Sequence, residues 1–523
     1  MEHHYPHRRR LLAAGLSLAS VGALAPTTLL AHPNFSRDPF SLGVAAGDPA
    51  PDGFVIWTRL APEPQTPDGG MAPVSVPVRW QVAEDEGFHR VVRSGVATAN
   101  PDLAHAVHVE VDGLRPQRPY WYRFIVAGAG ASQVGRARTT PMAGAPADQL
   151  RLAMVGCQNF QQGLYTAYGH LANEPDLDLI FHYGDYIYET GPAAGPSVRR
   201  HLGPEVYSLD DYRRRYAQYK ADPDLQAAHR AAAFVVSFDD HEIDNNWAAA
   251  HDQDESPQAV FALRKAAALQ AWYEHMPVRR AQRPGPRGVL MHRRLDFGSL
   301  ARLHVLDTRS YRDDQFCERP GLSSADLRNC RGVDRPERSM LGARQEAWLD
   351  RGLASPTGWN FIAQQVLFMP YDSRKDGETT PAGGNDSWMG YPLARDRLIK
   401  NIADRGLTNV VIGSGDVHQH FVGSVPRRAE DLTGPAIASE FLATSISSNG
   451  TGGPRYAGEL HALDHNPHVQ LLNNQRGYQL FTITPKLWAA DIKVVDQVDR
   501  PGGALDVLAK FVVDPRRPGP VKV

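Results

Sequence analysis

The chain has 523 residues, of which 42% are hydrophobic and 22% are charged, and its formal net charge is −2. A chain of this length exceeds one average hydrophobic core, so two domains are expected and three are allowed. The near-neutral charge argues against the strongly basic proteins that bind nucleic acids or anionic membranes, and no nucleic-acid-binding feature is present.

The amino-terminal segment has the features of an export signal. Arg8-Arg9-Arg10-Leu11-Leu12 precedes a mildly apolar stretch at 13–30 that is rich in Ala, Gly and Ser. This order is typical of a twin-arginine signal, whereas a membrane anchor is the alternative. Because Ser, Thr, Gly and Pro lower the hydrophobicity of this stretch, we expect no stable membrane anchor. We predict a signal peptide at 1–31, export by the twin-arginine machinery and a periplasmic or secreted location.

Residues 38–141 are predicted to form a small all-β domain. Valines alternate with polar residues at 74–82, which is the period of a half-buried strand. Further strands are predicted at 54–60, 105–111 and 120–126, with turn residues between them. This spacing favours a fibronectin-like sandwich. The domain carries no cluster of ligand residues, so we expect a structural role.

Residues 150–523 are predicted to form an α/β domain. After a Pro/Ala/Gly-rich linker, apolar strands alternate with segments of helical period, and two antiparallel strands close the chain at 477–484 and 488–495. The predicted strands lie at 150–155, 177–181, 233–238, 303–306, 360–364 and 409–412. In open α/β sheets the functional residues collect at the carboxyl ends of the strands.

The chain has three cysteines. Cys317 and Cys330 lie in a polar loop, and in an exported protein we predict a disulfide between them. Cys157 is then left over, at the end of the first α/β strand. A thiolate there is a strong ligand for iron or zinc, and a buried structural thiol is the alternative.

Three further strand ends carry polar residues. The second strand leads to Asp185 and Tyr188; Asp185 could bridge two metal ions, and a phenolate at Tyr188 requires a strongly Lewis-acidic metal such as ferric iron. A capping aspartate with packing tyrosines is the alternative. The loop at 370–390 is a candidate cover for this end of the sheet.

The third strand leads to the polar run at 239–246. Asp240 and Asn246 there suit a hard cation such as calcium or magnesium, and His241 could donate a proton to a leaving oxygen or hold a phosphate. The last strand leads to Asp416 and His418, which point the same way on an extended segment and could serve neighbouring metals. Solvated polar loops are the alternative for both stretches.

Together the strand ends offer carboxylates, an amide, an imidazole, a phenolate and a thiolate. This mixture predicts unlike metals in one cluster, with iron beside Cys157 and Tyr188 and calcium in the oxygen-rich remainder. Metal ions about 3.5–4 Å apart would clamp both oxygens of an in-line phosphoryl displacement.

The ordered motifs resemble the alkaline phosphatase D (PhoD-like) family of metallophosphoesterases. The resemblance extends over nearly the whole mature chain. The motifs that carry it are Gly156-Cys157-Gln158, Gly184-Asp185-Tyr186-Ile187-Tyr188-Glu189, Asp239-Asp240-His241-Glu242 with Asn245-Asn246, and Gly415-Asp416-Val417-His418. Phe238, where the family commonly has Trp, and His182-Tyr183, where it commonly has an apolar residue before Gly184, are departures that leave the ligands unchanged.

The resemblance implies a calcineurin-like α/β sandwich, alkaline phosphatase activity on phosphomonoesters and also phosphodiesters, and a cluster of one Fe³⁺ and two Ca²⁺. Iron would be held by Cys157, Asp185, Tyr188 and His418. Calcium would be held by Asp185, Asp416 and either Asn245 or Asn246, and a role for Asp240 stays open. Arg264 would bind the substrate phosphate, with a surface helix charge as the alternative.

The expected reaction is in-line attack on phosphorus by a metal-activated hydroxide or oxide, with Arg264 and His241 on the phosphate oxygens. A phosphodiesterase specialised for polymer or lipid head-group diesters is the enzyme alternative. A metal-dependent surface-binding protein is the non-enzyme alternative, and the intact set of ligands argues against it.

Overall fold

The computed structural model describes residues 35, 37–315, 327, 330, 332–375, 377–454 and 459–523. The predicted signal peptide lies outside these residues. Cys317 also lies outside them, so its disulfide with Cys330 stays a prediction. No helix in the described part of the chain is long and apolar enough to cross a membrane.

The strands and helices follow in chain order. The strands before residue 141 are β1 (Val44–Ala50), β2 (Gly53–Arg59), β3 (Val76–Ala83), β4 (Val91–Ala99), β5 (Ala106–Val111), β6 (Pro119–Val126), β7 (Gly130–Ala131) and β8 (Gly135–Arg138). The later strands are β9 (Leu150–Val155), β10 (Leu179–His182), β11 (Ala233–Val236), β12 (Arg293–Phe297), β13 (Ala301–Val305), β14 (Trp359–Ala363), β15 (Val410–Ser414), β16 (His420–Pro426), β17 (Ala436–Leu442), β18 (Val469–Asn473), β19 (Gly477–Ile483), β20 (Trp488–Val495), β21 (Leu505–Asp514) and β22 (Arg517–Lys522). The α-helices are α1 (Thr166–Leu171), α2 (Leu209–Lys220), α3 (Pro223–Ala231), α4 (Gln258–His275), α5 (Gly342–Leu353), α6 (Pro392–Asp404) and α7 (Glu459–His465).

Sequence signals account for several element boundaries. Ser208 caps α2 through a reciprocal capping box with Asp211, and the Asp222 side chain caps α3, where Pro223 occupies the first turn. All four residues of β10 are buried, as expected for a central parallel strand that is covered on both faces.

The central sheet has the order β22-β21-β20-β19-β9-β10-β11-β1-β2-β5 among the described residues. β9, β10 and β11 are parallel neighbours, so their carboxyl ends lie at the same edge. β19 and β20 extend this sheet in antiparallel fashion, as the carboxyl-terminal pattern predicts. The α/β character predicted for this region is confirmed.

A second sheet has the order β12-β13-β14-β15-β17-β16-β18, with β13, β14, β15 and β17 parallel. Its inner face packs on the central sheet through a shared apolar core. The Phe361 ring of the second sheet contacts Phe181 and Phe481 of the central sheet, with ring centroids 6.1 and 6.2 Å apart. The two sheets therefore share one apolar core.

The amino-terminal region is all-β, but it is not a separate sandwich. β1 pairs in parallel with β11, so β1, β2 and β5 continue the central sheet, while β3, β4, β6, β7 and β8 form a sheet of their own. At the junction, a side chain at Gly47 would lie 2.0 Å from the Pro277 carbonyl oxygen, which explains the glycine there. The predicted domain boundary near residues 141–150 stays a prediction.

Candidate active site

Loops that follow parallel strands of the two sheets meet at the candidate site. β9 leads to Cys157, β10 leads to Asp185, and β15 leads to Asp416 and His418. The first two loops are joined by a hydrogen bond of 3.1 Å from the Cys157 N–H to the Gly184 carbonyl. The strand ends thus bring side chains that are distant in sequence into one cluster.

Five of the predicted ligands have a left-handed backbone conformation, which residues other than glycine seldom adopt. The φ angles are 52° at Cys157, 55° at Asp185, 54° at Asn246, 70° at Asp416 and 61° at His418. Such conformations are unfavourable by about 1–3 kcal/mol each, and they collect at functional sites. The fold therefore holds these residues against their local preference.

One group of donors combines sulfur, nitrogen and oxygen. One ligand atom from each of Cys157, Asp185 and His418 lies within 4.8 Å of the other two. The Tyr188 hydroxyl donates to Asp185 Oδ2 at 2.8 Å and lies 3.1 Å from His418 Nε2. Ser448 Oγ lies 2.7 Å from the same phenol oxygen. This group contains the four residues predicted to hold iron.

Burial and neighbouring carboxylates oppose the ionisation of these donors. Burial, followed by Asp185 and Asp416, raises the pKa of the Cys157 thiol well above its usual value. Burial and Asp185 likewise raise the pKa of the Tyr188 phenol. A thiolate and a phenolate here need a cation beside them. Asp185 Oδ1 is also a buried oxygen without a hydrogen-bond partner among the described residues, so this donor set fits a metal ion.

A second group of donors is rich in carboxylates and adjoins the first. Oxygens of Asp239, Asp240 and Asp416 lie within 4.8 Å of one another, as do single donor atoms of Asp185, Asp240 and His241. Burial, and then Asp239, raises the pKa of Asp416 well above its usual value. Oxygen-rich groups of this kind suit hard divalent cations.

The two adjacent asparagines face different partners. The Asn246 N–H donates to Asp240 Oδ2 at 2.8 Å, and Asn246 Nδ2 is buried without a hydrogen-bond partner in the described part of the chain. The Asn245 side chain instead donates to Gln253 Oε1 at 2.6 Å. The structure therefore brings Asn246 to the carboxylate group and turns the Asn245 amide toward Gln253.

His241 lies between a carboxylate and an aromatic ring. Its Nδ1 lies 2.7 Å from Glu189 Oε2, and its ring centroid lies 4.1 Å from that of Tyr188. Burial lowers the pKa of His241, but Glu189, Asp240 and Asp185 together raise it well above its usual value. His241 is therefore an oriented imidazole at the edge of the donor groups, and the surrounding carboxylates favour its protonated form.

Arg264 is engaged by residues outside the donor groups. Its guanidinium lies 3.0 Å from Asp244, 2.8 Å from Glu205 and 3.2 Å from the Tyr212 hydroxyl, and it stacks on the Tyr207 ring. Each guanidinium nitrogen has one of these partners. The structure does not place Arg264 in the carboxylate group, so its contact with phosphate stays a prediction.

Arg309 is a residue of the site that the sequence analysis missed. It follows β13 and is fully buried, and its guanidinium donates to Asp239 Oδ1 at 2.5 Å. The same guanidinium lies 3.5 Å from Asp416 and 3.8 Å from Asp240. It is a resident positive charge among the oxygen donors. Its place just after a predicted strand was the signal that could have identified it, by the same rule that singled out the predicted ligands.

Asp386 was also missed. It belongs to the loop at 370–390, and its carboxylate accepts two hydrogen bonds from Arg309, of 2.7 and 3.0 Å. Arg312 and Gln315 donate to the same carboxylate at 2.8 and 2.6 Å. The loop that was a candidate cover is therefore tied to the carboxylate group through one side chain.

Comparison with known proteins gives the family. Residues 152–492 match the family model of the PhoD-like phosphatases, and residues 24–141 match the model of the PhoD-like phosphatase amino-terminal domain. The chain belongs to the PhoD-like phosphatase family. The resemblance found in the sequence motifs is thereby confirmed.

Two similar proteins match this PhoD-like chain over most of its length. It is 44% identical to alkaline phosphatase D of Bacillus subtilis (strain 168) over 519 residues, which cover 98% of this chain and 87% of that protein. It is 43% identical to a solved structure of PhoD, with a TM-score of 0.89 and coverage of 94% of this chain and 93% of the other. Both likenesses extend over the amino-terminal and α/β regions together.

Proposed function

We propose that this PhoD-like protein is a metal-dependent hydrolase of phosphate esters, an alkaline phosphatase. The observation that carries the proposal is the convergence of Cys157, Asp185, Tyr188 and His418 beside a group of buried carboxylates. The family and the 44% identity to alkaline phosphatase D support the same activity. No observation favours a specialised phosphodiesterase or a binding protein.

The proposed cofactors are one Fe³⁺ and two Ca²⁺. A thiolate and a phenolate prefer iron, so Cys157, Asp185, Tyr188 and His418 are proposed to hold it. The oxygen donors Asp185, Asp240, Asn246 and Asp416 are proposed to hold calcium. Asn245 is the less favourable alternative because its amide is bound to Gln253. When bound, such metal ions neutralise the charge of a phosphate ester and polarise its phosphoryl group.

His241 is proposed to be the proton donor of the reaction. Glu189 holds its Nδ1, which leaves the opposite ring nitrogen, Nε2, to donate to a phosphate oxygen or to the leaving oxygen. The Glu189 carboxylate, which favours the protonated form of His241, also fixes the orientation of the ring. Arg264 is proposed as a second phosphate contact, and it would need to exchange one of its present partners to reach the ester.

The finer structural expectations are proposals of the same kind. The two facing sheets are proposed to be the calcineurin-like sandwich of metallophosphoesterases, with 38–141 as the amino-terminal and 150–523 as the catalytic region. Residues 1–31 are proposed to direct export by the twin-arginine route. The paired arginines ahead of a weak apolar stretch support this.

The test is hydrolysis of an aryl phosphate monoester and an aryl phosphate diester by the purified protein, with elemental analysis of the same sample. We expect Asp185→Asn to lower kcat by roughly 100-fold or more and to reduce metal content, because Asp185 touches both donor groups. The exposed Asp210, changed to Asn on α2, is the matched control. A metal-loaded wild-type protein that hydrolyses neither ester would overturn the proposal.

A further inference from the structure

A segment rich in arginine stands out in this nearly neutral chain. Residues 279–294 contain six arginines and neither aspartate nor glutamate. Two of these arginines are paired in the structure, because Arg279 lies 3.2 Å from Glu110 and Arg293 lies 2.8 Å from Asp48. Of the four arginines that have no ion-pair partner among the described residues, Arg283 and Arg287 lie in the exposed middle of the segment.

This middle part forms one wall of a surface cavity of about 640 Å³, which we call the arginine cavity. Arg283 and Arg287 line it from the segment, and Arg344 lines it from the first turn of α5. The first turn of α5 contains no acidic residue, and the residues that line the cavity include neither aspartate nor glutamate. Within the described residues, none of the three arginines lies within ion-pair distance of a carboxylate, in contrast to Arg279 and Arg293.

The remaining wall is partly apolar. Leu290 is 51% exposed and Tyr311 is 37% exposed, and His292 contacts the Tyr311 ring with centroids 5.9 Å apart. A neighbouring cavity of about 440 Å³ shares Arg287 and is lined in addition by Lys265, again without an acidic side chain. The positive surface therefore extends over two connected depressions.

The arginine cavity is near the candidate active site but is not part of it. Tyr311 lies two residues beyond Arg309, so their Cα atoms are at most about 7 Å apart. Arg309 itself is fully buried and paired with Asp239 and Asp386, whereas the arginines of the cavity are exposed. The donor groups are negative and need cations, while the cavity is positive and needs an anion.

We propose that the arginine cavity binds a multivalent oxyanion, a molecule that carries several phosphate or sulfate groups. Guanidinium groups match such oxyanions through paired hydrogen bonds. Three unpaired arginines exceed the charge of a single phosphate group, and the cavity volume is that of an organic ligand site. Leu290 and Tyr311 supply contact for the organic part of the molecule.

The test uses the metal-loaded protein and inositol hexasulfate, a multivalent oxyanion that is not a phosphate ester. Calorimetric titration should give one binding event per chain that weakens as ionic strength rises. The triple variant Arg283→Gln, Arg287→Gln, Arg344→Gln should bind the probe at least about tenfold more weakly. Its kcat on a small aryl phosphate should be unchanged. The matched control is the triple variant Arg115→Gln, Arg118→Gln, Arg500→Gln, which removes three exposed arginines that do not line the cavity.

Three results would overturn the proposal. The first is undiminished binding by the cavity variant, and the second is an equal loss in the control variant, which would show a general effect of charge. The third is displacement of the probe by the aryl phosphate substrate, which would place the probe in the active site. Because the probe is measured by binding, loss of phosphatase activity in the wild type would count against the proposed function alone.

Discussion

Arg309 and Asp386 face each other through two hydrogen bonds, of 2.7 and 3.0 Å, at the edge of a group of buried carboxylates. This bidentate pair joins the loop after β13 to the loop at 370–390. The same guanidinium reaches Asp239, so one positive charge holds carboxylates from two loops in place. Without it, the carboxylates would repel one another before any metal ion arrived.

Replacing Arg309 by Met should destabilise the metal-depleted protein. Removing one partner of a buried ion pair leaves uncompensated charge, which lowers the free energy of unfolding by about 3–5 kcal/mol. Arg302→Met is the control, because Arg302 on β13 pairs across the sheet with the half-exposed Asp296 on β12, and a change below about 1 kcal/mol is expected there. Urea unfolding measures both, and equal effects in the two variants would contradict the role given to Arg309.

Replacing Glu189 by Gln should slow turnover without removing metal. Glu189 contacts His241 Nδ1, and loss of an orienting carboxylate typically lowers activity about 10–100-fold. His241→Ala should lower kcat further, and the double variant should equal His241→Ala, because the two residues act as one unit. Additive losses in the double variant would show that Glu189 acts by another route.

The proposed ferric iron predicts that replacing Tyr188 by Phe removes a visible absorption band while leaving the fold intact. The Tyr188 oxygen lies beside Asp185 and His418, and a phenolate bound to ferric iron absorbs visible light. Chelation of the metal from the wild type should abolish the band and the activity together. Tyr371→Phe, at a ring packed on Phe421, is the control that should keep both. A band that persists in Tyr188→Phe would assign the absorption to another ligand.

Lys220 should make the protein more stable as pH rises from about 7 to 10.5. Its ammonium lies 4.1 Å from the Trp57 ring centroid, and burial lowers its pKa to about 7. The surrounding histidines do not titrate in this window, since burial lowers the pKa of each one, namely His108, His182, His229 and His275. Between the two pH values the unfolded chain binds more protons than the folded one, so the free energy of unfolding rises with pH in this window.

Lys220→Met should remove this pH dependence and stabilise the protein at pH 7 by up to about 5 kcal/mol. Lys400→Met is the control, because Lys400 is 72% exposed and its variant should keep the wild-type slope. Thermal unfolding at several pH values measures the difference. A wild-type slope that survives in Lys220→Met would assign the effect to another group.

The sequence indicated which side chains meet at the strand ends better than it indicated long-range strand pairing. Cys157, Asp185, Asp416 and His418 were singled out because each follows an apolar run, and the parallel sheets bring such positions together. The pairing of β1 with β11 was missed, because periodicity describes one strand and contains no information about its partner in the sheet.

The remaining differences concern side-chain direction and ion pairs. The sequence could not separate Asn245 from Asn246, whereas the structure shows that the Asn245 side chain is bound to Gln253 and that Asn246 has a left-handed φ of 54° beside the carboxylates. Asp386 was missed because it lies in a loop without periodicity. Its three donors, Arg309, Arg312 and Gln315, come from a segment about 70 residues earlier in the chain.

The left-handed conformations at the predicted ligands set stability and function against each other. Glycine adopts such a φ freely, so a substitution such as Asp416→Gly would relieve local strain while deleting a proposed ligand. A selection for thermal tolerance alone would therefore favour inactive variants at these positions. Directed evolution of this protein needs a screen that scores turnover and heat resistance together.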